Sequence, residues 1–177
     1  TSPFSAYGVL NDAGTSDGSF VPPYLPGPGQ ALPVEKMIPV ILDVKGRGAN
    51  RYVTELTIAN LGASEVAVTM SYSATPSFGG GSGSVPLTLA AGEQRIIPDA
   101  MAFLRTGGLA IPSDGTNVAG SLLVRASSAT STVSLVTGAR VSTRSTSRDG
   151  AFGVFYPGLT LSESANGTAW VHGLQQN

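Results

Sequence analysis

Residues 51–74 read RYVTELTIANLGASEVAVTMSYSA, and this stretch decides the fold. In 51–60 the residues alternate, with Tyr52, Thr54, Leu56 and Ile58 on one face and Arg51, Val53, Glu55 and Thr57 on the other. A period of two belongs to a strand with one side buried, because successive side chains leave a strand on opposite faces. After the turn LGASE, residues 66–74 repeat the pattern: Val66, Val68, Met70 and Tyr72 face in, and Ala67, Thr69 and Ser71 face out. Two such runs around a short Asn/Gly/Ser turn predict a hairpin.

Working outward, the same grammar recurs. MIPVILDV before the KGRGAN turn, SVPLTLA and QRIIP around AAGE, then GSLLVRA, STVSLVTGARVST, AFGVFYP and TAWVHGL all read as strands. Val133, Leu135, Thr137, Ala139 and Val141 keep one parity, as a half-buried strand requires. One helix is expected near 99–106: Asp99 can cap it, Ala100, Met101, Phe103 and Leu104 form its apolar side, and Gly107-Gly108 end it. FGGGSGS at 78–84 has no side chains to order it and is expected to be a mobile loop. About nine to eleven strands and one helical turn leave no helices for parallel crossovers. The reading is all-β: an antiparallel β-sandwich spanning 34–177.

Two segments precede that sandwich. Residues 1–24 read as a strand hairpin, FSAYGVL and SFV around NDAGTSDG. Residues 25–33 are a Pro/Gly-rich linker, extended and semi-rigid because proline fixes φ and lacks an N–H. The phrase AYGVLND is echoed by VHGLQQN at 171–177 and by AFGVFYP at 151–157. That echo makes residues 1–24 the expected tail of a preceding module in a tandem array, packed on this sandwich or on a neighbouring copy.

Composition narrows the function. Charged residues are 12% of the 177, about half the usual share of about 25%. The formal net charge is −1, and the basic residues are scattered. No bulk field draws the chain to nucleic acid. Without cysteine there is no disulfide, thiolate metal site or cysteine nucleophile. No apolar run approaches the ~20 residues that span a membrane as a helix, so no membrane insertion is expected.

Sites are few. His172, the only histidine, sits in a strand phrase without a G-x-S-x-G, S-x-x-K or HExxH pattern, and reads as a strand residue with a polar tip. Glu55 and Glu65 fall on a strand exterior and in a turn, as surface charge. Asn11, Asp12 and Asp17 put oxygen ligands around a turn, the one arrangement that suits calcium, although Asn, Asp and Gly are also ordinary turn residues. Among the aromatics, Tyr24, Phe78 and Tyr156 are the candidates for a ligand platform able to stack on sugar rings. No catalytic residue and no cofactor is expected.

The phrases IPVILDVKGRGANRYVTELTIANLGASEVAVTMSYS, LTLAAGEQRIIPDAMAFL and FYPGLTLSESANGTAWVHGLQQN resemble a module repeated in large secreted bacterial proteins. In those proteins an immunoglobulin-like β-sandwich opens on a strand pair of the TELTLxNxG type. The likeness covers most of residues 34–177 and consists of patterned strand residues, so no residue role carries over. It implies an immunoglobulin-like fold and an extracellular or cell-surface setting. The implied work is structural or adhesive, against protein or glycan surfaces and neighbouring modules of the same chain. The alternative is a carbohydrate-binding accessory module of a secreted enzyme.

Overall fold

The computed structural model describes residues 6–23, 34–78, 80–128 and 133–161. They form an all-β antiparallel sandwich with one short helix. The strands are β1 (Gly8–Asp12), β2 (Asp17–Val21), β3 (Val34–Lys45), β4 (Arg51–Asn60), β5 (Val66–Ala74), β6 (Gly83–Leu89), β7 (Gln94–Ile97), β8 (Val118–Ser127), β9 (Leu135–Arg144), β10 (Ala151–Pro157) and β11 (Leu159–Thr160). The helix α1 spans Ala100–Thr106 between β7 and β8. The linker 25–33 and the phrase TAWVHGL, with His172, lie outside the described residues.

Nine strands form one folded-over path, β10-β9-β4-β3-β8-β5-β6, with β7 on β4 and β11 on β3. The fold-over is made by β3. Its N-terminal part pairs with β8 from Val34 to Asp43, while its last residues, Asp43–Lys45, pair with Val53–Arg51 of β4. Beyond that corner β4 leaves β3 and takes β7 on the freed edge, from Leu56 to Ala59. The register of β3 on β8 shifts between Ile38 and Ile41, around Pro39, which has no N–H to give to a ladder. Near the parting point a side chain replaces the ladder: Thr54 Oγ1 accepts from Leu42 N–H (2.8 Å) and donates to Leu42 C=O (3.0 Å).

The predicted β4–β5 hairpin does not exist. β4 pairs with β3, β7 and β9, and β5 pairs with β6 and β8. The alternation identified the buried faces correctly, since Thr54, Leu56, Ile58, Val66, Val68, Met70 and Tyr72 are all buried. Two strands that bury one face each can meet face to face across a core as well as edge to edge in a sheet, and here the turn carries the chain between layers.

Between the layers lies a core that includes Ile38, Ile41, Leu56, Ile58, Met70, Leu89, Leu122 and Leu135. Each such side chain contributes about 1.5–3 kcal/mol relative to exposure. The helix closes one end, with Met101 and Leu104 buried. Asp99 caps it by accepting Ala102 N–H at 2.8 Å, and Gly107 is its C-cap. Residues 81–83 of the glycine-rich stretch, expected to be mobile, are anchored. Gly81 N–H reaches Ala110 C=O at 3.1 Å, Ser82 Oγ accepts Ala74 N–H at 3.1 Å, and β6 begins at Gly83.

Candidate functional site

The most elaborated surface is the outer edge of β10. This strand pairs with β9 on one side, Ala151 against Arg144 through Pro157 against Gly138. In an antiparallel pair alternate residues turn their N–H and C=O toward the partner, so the others point away. Ala151 and Gly153 are of the second kind, and their backbone groups are met by side chains of the β1–β2 hairpin. Asp12 Oδ2 accepts Ala151 N–H at 2.9 Å, and Thr15 Oγ1 donates to Ala151 C=O at 2.9 Å. Two residues on, Asp17 Oδ2 accepts Gly153 N–H at 2.8 Å, and Ser19 Oγ donates to Gly153 C=O at 2.8 Å. A carboxylate and a hydroxyl thus serve each outward residue, repeating at the period of the strand.

The sequence of the hairpin explains this array. Its register pairs Gly8 with Val21, Leu10 with Ser19 and Asp12 with Asp17, which places Asp12, Asp17 and Ser19 on one face. Asp12 also shapes the turn, because its Oδ1 accepts Gly14 N–H and Thr15 N–H, both at 3.0 Å. These amide donors, Ala151 N–H foremost, hold the Asp12 carboxyl below the ordinary aspartate value of 3.8. The tip meets the β9–β10 turn closely: a Cβ at Gly14 would strike Asp149 C=O, and one at Gly150 would strike Asp12 Oδ1. Arg140, on the same side of β9, lies 3.8 Å from Asp17.

The other face of the hairpin is apolar and open. Tyr7, Val9 and Phe20 are 70, 58 and 61% exposed, and the rings of Tyr7 and Phe20 stack at 5.8 Å. This inverts the usual arrangement, in which a sheet turns its apolar face to the protein. A shallow groove of about 320 Å³ follows the seam, lined by Phe20, Pro22, Val154, Phe155 and Pro157 among others.

The predicted calcium ligands are therefore separated. Alternation puts Asn11 on the face of Val9, away from Asp12 and Asp17, whose carboxylates are engaged with backbone N–H groups. They lie in strands and not in the connecting loop, which is only residues 13–16. Among the described residues no group of three or more acidic, His or Cys side chains could hold a metal. The platform candidates are not assembled either. Tyr24 lies outside the described residues, Phe78 is 39% exposed in the β5–β6 connection, and Tyr156 is half-buried on β10, at the other end of the strand path. The exposed stacked pair, Tyr7 with Phe20, was hidden in sequence because strand register alone assigns them to the same open face.

A second groove of about 450 Å³ runs between Asn50-Arg51 and Ser142–Thr146. Its Arg51 is already committed: Nε lies 2.5 Å from Asp43 Oδ1, and Arg105 of α1 approaches Asp43 Oδ2 at 3.2 Å. The buried Asp43 so ties β3 to the start of β4 and to the helix.

These features define an all-β sandwich whose edge strand is covered by a side-chain-docked hairpin. No protein-family model, curated protein or solved structure matches the chain. Among the described residues no helix is long and apolar enough to cross a membrane.

Proposed function

We propose that the chain is a non-catalytic, immunoglobulin-like module of a secreted or surface-exposed bacterial protein. Its work is structural or adhesive, with neighbouring modules and protein or glycan surfaces as partners. The observation that carries this reading is the hairpin on β10: polar side chains spent on holding a strand edge, and an apolar face turned outward. A contiguous apolar face on a small, nearly neutral domain suits contact with another surface. The acidic side chains support a structural role too. Asp12, Asp17, Asp43, Glu93 and Asp99 each bond to backbone amides or arginines of the fold. The resemblance of residues 38–73 and 87–104 to repeated secreted modules supports the extracellular setting. Immunolabelling of intact against permeabilised producing cells tests it. Labelling of intact cells is expected, and signal confined to permeabilised cells overturns the proposal.

A carbohydrate-binding accessory module is the second reading, favoured by the stacked and exposed Tyr7–Phe20 pair. Aromatic faces stack on sugar rings, so a glycan array should then return a binder that Phe20→Ala loses. An array without binders removes this reading and leaves the first standing.

A further inference from the structure

We infer that the β10 edge is a receptor for the hairpin of a second copy of this chain, so that copies link by exchanging residues 6–23. The inference does not rest on the module reading, because it concerns two surfaces that every copy carries.

The hairpin is an appendage in the physical sense. Its strands pair with each other in a separate two-stranded sheet, and it is bound to the sandwich through Asp12, Thr15, Asp17 and Ser19. None of residues 6–23 belongs to the hydrophobic core described for the sandwich, so that core stays intact when the hairpin leaves. A lone two-stranded hairpin is marginal in water, so this one needs a β10 edge to hold it. Which copy supplies that edge is a matter of reach and concentration. Residues 24–33, YLPGPGQALP, are ten residues that span at most about 33–36 Å when extended. A flexible tether of that length would give its own edge an effective concentration of about mM.

The identity of the partner follows from the complementarity. The receptor offers N–H and C=O groups at Ala151 and Gly153 and the close turn at Asp149-Gly150. The ligand offers two carboxylates and two hydroxyls in matching order, with glycine at 14 where any Cβ would strike the turn. Another copy of this chain presents that same set. Reciprocal exchange closes as a two-fold pair, and one-way exchange runs on as a chain of copies. In an isolated copy the face of Tyr7, Val9 and Phe20 is left to solvent.

Two full-length variants test this. Gly14→Val blocks the hairpin as ligand, and Gly150→Val blocks the edge as receptor. Each alone should run at the single-chain mass of 17.9 kDa by light scattering. Refolded together at near-mM concentration, they should give a species near twice that mass, because the good hairpin of one meets the good edge of the other. A mixture that stays at the single-chain mass overturns the inference. Should a variant fail to fold, the otherwise unaltered chain gives the answer through dyes. Chains carrying Val9→Cys with a donor and Ser147→Cys with an acceptor are refolded together at the same concentration. Energy transfer between chains, absent when folded stocks are simply mixed and diluted, is the expected result. No transfer after co-refolding overturns it.

Discussion

Asn60 shows how much a single side chain carries here. It is fully buried, and its Nδ2 donates to Ser64 C=O (2.8 Å), Ala90 C=O (2.9 Å) and Leu89 C=O (3.3 Å). Its Oδ1 accepts Gly62 N–H at 2.9 Å. One amide therefore holds the β4–β5 turn against the β6–β7 turn, two of the places where the chain changes layer. Asn60→Ala leaves several buried carbonyls unmet and should cost about 3 kcal/mol, read as a fall in the urea midpoint without a change in slope. Asp43→Ala leaves Arg105 and Arg51 without their shared carboxylate and should cost about 3 kcal/mol by the same measurement. Calcium should do nothing: with Asp12 and Asp17 occupied by amides and Asn11 facing away, millimolar calcium or EDTA is expected to leave the thermal midpoint unchanged. Asp12 does respond to acid. Its folded pKa is depressed, so its contribution to docking is complete above the ordinary aspartate range and is lost as pH falls through and below 3.8. Chemical shifts of Ala151 N–H followed from pH 6 to 2 should record that loss.

The hairpin and the strand it covers have different relations to the fold. β10 is an edge of the sandwich, and an uncovered edge is a template for unwanted pairing. Covering it with side chains, rather than with another strand, closes the edge by contacts that can be undone without breaking a ladder. Removing both carboxylates, Asp12→Ala with Asp17→Ala, should therefore free the hairpin while the sandwich stays folded. Protease cleavage in residues 6–23 should rise at least tenfold, with the urea midpoint of the sandwich moved by under about 1 kcal/mol. A joint collapse of hairpin and sandwich would contradict this view of β10. The helix α1 is the opposite case. Its seven residues are too few to be stable alone, and Met101 and Leu104 in the core hold it.

For the molecule as a whole, the strand order demands contacts between distant segments, such as β4 with β9 and β3 with β8. Such a topology closes long loops before they are rewarded, so refolding should be slow, in the millisecond-to-second range. Hydrogen exchange should divide the chain in two. Amides of β4, β5, β8 and β9 should exchange only through global unfolding, and those of β1 and β2 through a cheaper local opening.

Much of this was legible in the order of residues. Period-two alternation marks the buried faces of β4, β5, β6 and β9, because burial of one face is a local property of each strand. Asp99, the apolar side of α1 and Gly107 mark the helix, because capping is satisfied within four residues. The Asn60-Leu61-Gly62 turn follows from a side chain bonding two residues ahead. What alternation cannot express is which edge meets which. β4 and β5 satisfy the hairpin pattern as well as they satisfy a crossing between layers, and only the packing of Ile58 and Met70 into one core selects the crossing. The same holds for Asp12 and Asp17. Their residue types announce a turn or a cation; the 139- and 136-residue separations to Ala151 and Gly153 make them a clasp. Patterns within a strand come from the period of the backbone, and pairing between strands comes from the free energy of closing one shared core.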